Sequence, residues 1–168
     1  KLYELTYQKI YFLCFSMLKN SEDACDAVQD TYLQIYTNID TLTDNQLFIA
    51  WAKKIAYHIC LRKLNKKTPD LLSDEQLLTI ADEKERANPK LYLEKRSKEE
   101  LISNHIDQLN PILRTTLIFK YFDNLKVAQI ASIMDCPEGT VKSRINTAKR
   151  QLKTSLRNDK KGDMLLGA

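Results

Sequence analysis

From Val127 to Leu152 the chain reads as two amphipathic helices broken once, by Asp135-Cys136-Pro137-Glu138-Gly139. Val127, Ile130 and Ala131 give the first, short helix a single apolar face. Beyond the break, Val141, Ile145, Ala148 and Leu152 recur at i, i+4, i+7 and i+11, which at 100° per residue is one stripe. Gly139 is expected to take a backbone conformation that other residues resist, and Thr140 to cap the second helix. Short helix, tight turn and longer helix together describe a helix-turn-helix.

The polar side of the longer helix carries Lys142, Ser143, Asn146, Arg150 and Lys153, with Arg144 and Lys149 flanking the stripe. On a recognition helix, N-terminal polar residues reach base edges in the major groove while flanking cations meet phosphates. The plainer reading is a helical hairpin whose basic face is merely solvated.

Charge distribution supports a polyanionic partner. Net charge is only +4, but residues 53–67 hold six basic residues and no acid, and 139–161 hold eight against Asp159 alone. Residues 68–100 are instead acidic, with nine acids and six bases. Two basic segments flanking an acidic spacer suggest two contacts with nucleic acid.

Other features bound the class. A hydrophobic fraction of 43%, with three Gly and four Pro in 168 residues, predicts an all-α chain with a real core. No apolar run approaches the roughly 20 residues that span a bilayer. No signal peptide is read from the sequence, which begins at Lys1 rather than Met. Cys14, Cys25, Cys60 and Cys136 lie far apart, without CxxC pairs, and predict reduced, mostly buried thiols and no metal site.

The predicted fold is two small helical domains joined by a flexible acidic linker, the C-terminal one containing the helix-turn-helix. Residues 1–67 form the first domain, 68–92 the linker with one short helix, 93–161 the second domain and 162–168 a frayed tail. Leu2 to Leu18 is so rich in apolar residues that it reads as a buried helix. Asn20-Ser21-Glu22-Asp23 opens a second helix, from about Glu22 to Asn38, and a third runs from about Gln46 to Asn65. The second domain starts with a helix from near Leu91 to Gln108, followed by Ile112 to Phe122 behind Asn110-Pro111.

Two faces of the first domain carry chemistry. On the second helix, Ala24, Val28, Tyr32, Ile35 and Ile39 point inward, while Asp26, Gln29, Asp30 and Leu33 share the opposite side. A Leu ringed by acids and an amide suits a basic partner helix, although an ordinary solvated face fits equally well. The third helix buries Phe48, Trp51, Ala52, Ile55 and Ile59 and is expected to turn Lys53, Lys54, Tyr57 and Leu61 outward, with Arg62, Lys63, Lys66 and Lys67 beyond. Cations interleaved with an aromatic ring suit a single nucleic-acid strand, although a lone Tyr more often packs than stacks.

The stretches SEDACDAVQDTYLQIY, FIAWAKKIAYHICLRKLNKK and LNPILRTTLIFKYFDNLKVAQIASIMDCPEGTVKSRINTAKRQL resemble, in this order, the extracytoplasmic-function (ECF) sigma factors, which keep only sigma regions 2 and 4. The resemblance covers nearly the whole chain. It implies a cytoplasmic protein that binds bacterial core RNA polymerase, recognises a duplex −35 element and an opened −10 element, and is held by an anti-sigma factor. By position, Asp26, Gln29, Asp30 and Leu33 would contact polymerase. Lys53, Lys54, Tyr57, His58, Arg62 and Lys63, with the loop from Asp40 to Gln46, would hold the −10 strand. Gly139, Thr140, Lys142, Ser143, Arg144 and Asn146 would enter the −35 major groove, beside Lys149 and Arg150. Three positions depart from the family's pattern: His58 stands for a usual Asn, Gln129 for a Glu, and Thr147 for an Arg.

No catalytic role, cofactor or small-molecule substrate is expected. The chain has two histidines, no HExxH, no phosphate-cradling Gly loop and no nucleophile with a matching base. The rival readings are a conventional helix-turn-helix regulator acting without polymerase, and a degenerate sigma-like interaction module.

Overall fold

The computed structural model describes residues 2–67 and 98–158. Seven α-helices account for most of them: α1 (Leu2–Leu18), α2 (Ser21–Asn38), α3 (Phe48–Lys67), α4 (Lys98–Asp107), α5 (Pro111–Leu117), α6 (Val127–Met134) and α7 (Glu138–Asn158). The expected linker and tail lie outside the described residues, as does the part of the fourth helix before Lys98.

Local chemistry sets the helix ends. Lys19 turns left-handed (φ 52°) to close α1, and Asn20 then caps α2 by accepting the Asp23 N–H at 3.0 Å. Asp44 accepts the Gln46 N–H at 2.8 Å and starts the short 3-10 turn Asn45–Leu47 that leads into α3. Asn110 accepts the Ile112 N–H at 2.9 Å ahead of Pro111, whose missing N–H is harmless in a first turn. A π-helical turn, Ile118–Phe122, extends α5 and leads to a left-handed Asn124 before α6.

Helices α1, α2 and α3 pack on one another, and α7 holds α4, α5 and α6. The two units also pack together, α1 against α5 and α3 against α6, so that one apolar cluster runs from Ile10 through Cys60 to Ala148. At the α1–α5 seam the Arg114 guanidinium is buried and donates to the carbonyls of Asp107 and Leu109, and across the seam to Met17. Lys19 pairs with Asp107 beside it.

Four expectations need correction. Helix α1 is not buried all round: Leu5 is 72% exposed and Tyr3 and Phe12 about half, because only one face meets α2, α3 and α5. Gly139 has no unusual backbone, since the left-handed residue of the turn is Asp135 (φ 53°), whose N–H closes α6 on the Ala131 carbonyl. Helix α7 therefore begins at Glu138, with Val141 N–H bonded to the Pro137 carbonyl, and Thr140 lies inside the first turn rather than capping it. The thiols are free, but only Cys14 and Cys60 are buried. Hydrogen bonding with Cys14, then burial, pushes the Cys60 thiol far above its ordinary range and leaves it unreactive.

Candidate nucleic-acid and polymerase interfaces

Helix α7 buries Val141, Ile145, Thr147, Ala148 and Leu156 against α5 and α6. Its other side is open: Gly139, Lys142, Ser143, Asn146, Lys149 and Arg150 are exposed, with Thr140 and Arg144 half-buried. Arg144 is steadied by Cys136, its Nη1 3.6 Å from the sulfur, and Lys149 lies over the Tyr121 ring at 5.2 Å. The whole expected −35 set is thus gathered on one accessible, basic face. Thr147 is buried, so the residue standing for the family's Arg faces the core.

The outer side of α2 is equally open. Asp26, Gln29 and Asp30 are exposed, and Leu33 is 65% exposed. Asp30 lies 3.5 Å from Lys63 of α3, a surface pair that steadies the carboxylate without hiding it. Tyr36, 82% exposed one turn beyond Leu33, extends this face with an aromatic ring. Its i+3 spacing from Leu33 was the available signal, obscured because Tyr36 stands directly beside the inward-facing Ile35.

Helix α3 departs from expectation. Lys53 and Tyr57 were expected to point outward, yet they are 5% and 2% exposed. The cause is tertiary: α1, α2 and α6 all pack on α3. Two acids, Asp123 closing the π-helical turn before α6 and Asp135 closing α6 itself, each meet one of two successive lysines. Asp123 Oδ2 lies 2.6 Å from Lys53 Nζ, which also sits 5.8 Å from the Phe119 ring. Asp135 Oδ1 lies 3.2 Å from Lys54 Nζ.

His58 shares this seam. Its ring meets Tyr57 edge-on, and its buried Nε2 has no hydrogen-bond partner among the described residues. Burial lowers its pKa from the ordinary 6.5; nearby Asp135 opposes that shift, and Lys54 and Arg62 add to it. Of the expected −10 set, Arg62 is exposed and Lys54, His58 and Lys63 are half-buried, while the loop from Asp40 to Gln46 is open except at Leu42.

No group of His, Cys, Asp and Glu able to hold a metal ion occurs among the described residues, and no described helix is long and apolar enough to cross a membrane.

Comparison with known proteins converges on one family. Residues 2–69 match Sigma-70 region 2 and residues 99–152 match Sigma-70 region 4. The ECF RNA polymerase sigma factor SigW of Bacillus subtilis is 31% identical over 157 residues, covering 89% of this chain and 84% of that one. The chain belongs to the ECF sigma factors.

Further relatives of this sigma factor include the ECF RNA polymerase sigma-E factors of Escherichia coli K12 and Salmonella typhimurium, each 28% identical over 139 residues, covering 79% of this chain and 73% of theirs. Among solved structures, the sigma factor RpoE in complex with the anti-sigma factor NepR, from Bartonella quintana, shares the fold at a TM-score of 0.67 and 20% identity, covering 94% and 96% of the two chains. A sigma factor serves RNA polymerase in transcription initiation. The region 2 match covers the whole α1–α3 unit, which favours this reading over a conventional regulator.

Proposed function

We propose that this sigma factor docks on core RNA polymerase through the outer face of α2 and directs promoter recognition through α7 and promoter opening through α3. Residues 1–67 would act as region 2 and 93–161 as region 4, with 68–92 as the linker. Asp26, Gln29, Asp30 and Leu33 bind polymerase, the acids meeting a basic helix and Leu33 anchoring the centre of the contact.

The −35 contact uses α7 as a recognition helix. Lys142, Ser143 and Asn146 stand where base edges are read, and Arg144, Lys149 and Arg150 where phosphates run, with Gly139 and Thr140 at the entry. Lys53, Lys54, Tyr57, His58, Arg62 and Lys63 would hold the opened −10 strand beside the loop from Asp40 to Gln46, where an unstacked base costs a few kcal/mol to extrude. Lys53 and Tyr57, buried in the described arrangement, can do so only after the helices packed on α3 rearrange. The protein performs no chemistry: polymerase makes the bonds, and this chain supplies position. Its place is the cytoplasm, and an anti-sigma protein is its expected inhibitor, by analogy with the RpoE–NepR pair.

One observation carries the reading: the acidic, Leu-centred face of α2 and the basic face of α7 stay exposed after both units have packed. The test is binding to sigma-free core polymerase by the intact chain and by the charge reversal Asp26→Lys/Asp30→Lys. Tight binding abolished by the reversal is expected. An intact chain that ignores polymerase yet binds specific duplex DNA on its own would overturn the proposal.

A further inference from the structure

The π-helical turn after α5 changes the direction of one aromatic side chain. Leu113 and Leu117, one turn apart, are both buried, and an unbroken α-helix would carry Tyr121 inward along the same stripe. Instead the Asp123 N–H closes on the Ile118 carbonyl at 3.0 Å, a wider turn, and Tyr121 is 53% exposed. Its ring lies against the Lys149 ammonium of α7, with Nζ 5.2 Å from the ring centre. We propose that Tyr121 is a positioning residue for −35 recognition, its ring fixing Lys149 where the recognition helix meets a promoter phosphate. The inference rests on the reading of α7 as that helix and adds a residue from outside the helix-turn-helix.

Three observations support it. Lys142, Asn146 and Lys149 are spaced at i, i+4 and i+7, so they share one side of α7, and all three are exposed. A cation held there meets the sugar–phosphate backbone while its neighbours face base edges. The ring also holds the ammonium without cancelling its charge. Among the described residues no carboxylate lies within ion-pair distance of Lys149, whereas Lys53, Lys54, Lys63 and Lys67 each face an acid. An aromatic face attracts a cation from one side and leaves N–H donors on the other for a phosphate oxygen. Finally, packing does not account for the ring, because Ile118 and Phe119 of the same turn already fill the core.

An unrestrained lysine samples many rotamers, and DNA must order it on contact. Tyr121 restricts Lys149 before the duplex arrives, so the ammonium approaches already directed. At an exposed site such a contact amounts to about two- to fivefold in affinity.

The test uses holoenzyme assembled from the full chain and core RNA polymerase. Its probe is a promoter duplex selected from a random library by the wild-type holoenzyme. Tyr121→Leu removes the ring, Tyr121→Phe keeps it without the hydroxyl, and Lys149→Ala removes the cation. Phe122→Leu removes the adjacent ring, 67% exposed, and controls for disturbance of the turn. Tyr121→Leu is expected to weaken promoter binding about two- to fivefold and to lower its salt slope by a fraction of one. Tyr121→Phe and Phe122→Leu should match the wild type, and Tyr121→Leu should add nothing to Lys149→Ala. An equal loss from Tyr121→Leu with and without Lys149 would show that the ring does not act through the cation. A loss in Tyr121→Phe as large as in Tyr121→Leu would assign the effect to the hydroxyl, and no loss in Tyr121→Leu would show that the ring positions nothing. Either result overturns the proposal. Lys149→Ala without effect would remove the phosphate contact and the role of Tyr121 with it, whereas a wild-type chain that ignores core polymerase would instead overturn the sigma-factor reading.

Discussion

Lys53 Nζ of α3 and Asp123 Oδ2 at the approach to α6 lie 2.6 Å apart, joining residues seventy positions distant across the seam between regions 2 and 4. Their exposures differ: the Lys53 side chain is 6% exposed and that of Asp123 28%. Removing the acid therefore strands a buried ammonium, at a cost of about 3 kcal/mol, while removing both charges together costs far less. Because Lys53 can escape to water when the units part, the loss is capped by the free energy of their packing. Asp123→Ala is expected to split the calorimetric unfolding of the wild type into two smaller transitions, and Lys53→Met/Asp123→Leu to restore one. A single transition in Asp123→Ala, merely displaced, would argue against separable units.

Burial holds His58 below the ordinary imidazole pKa of 6.5, against the pull of Asp135 and with the push of Lys54 and Arg62. The folded state thus resists a proton that the unfolded state accepts. The stabilisation is full above about pH 6.5, is lost as pH falls from there toward the lower folded pKa, and changes no further below it. Between pH 7.5 and 5.5 the wild type is expected to lose more thermal stability than His58→Asn, which has nothing to titrate. Equal losses in the two proteins would remove His58 from the account.

On α7 the two kinds of DNA contact separate by salt. Lys149→Ala or Arg150→Ala is expected to lower the slope of log affinity against log salt by about one and to weaken all sequences alike. Asn146→Ala is expected to leave the slope unchanged and to cost about 1–3 kcal/mol at one base pair, relaxing discrimination there. Holoenzyme titrations of a promoter library at several salt concentrations read both. A changed salt slope for Asn146→Ala would reassign it to the backbone.

Leu33 is 65% exposed and makes little contribution to the fold, so its truncation is a clean probe of docking. Leu33→Ala is expected to weaken core-polymerase binding about tenfold or more, with an unchanged thermal midpoint. Tyr36→Ala should act in the same direction if the face continues along α2. Full affinity in Leu33→Ala would move the polymerase contact elsewhere.

Much of this molecule is legible in the sequence because it is local. The helix limits at Asn20 and Asn110 follow from side chains that satisfy nearby amides, and the stripe Val141, Ile145 and Ala148 fixes which side of α7 faces the core. The exposed basic set of α7 and the acidic face of α2 follow from the same periodicity. The turn of the helix-turn-helix was legible as a break but not in detail. Gly139 was the obvious residue for a left-handed backbone, yet Asp135 takes it, because closure of α6 on Ala131 needs that geometry four residues earlier.

What the sequence by itself determined was therefore the helices, their faces and the kinship to sigma factors. Only tertiary structure decided the fate of α3. A helix of twenty residues with cations and apolar residues on several sides has no single periodic face, and nothing within it says that Lys53 and Tyr57 will be buried when other helices pack on it. That outcome depends on acids seventy and eighty-one residues away, at Asp123 and Asp135, and pairing over such distances is set by how whole helices dock rather than by any local pattern.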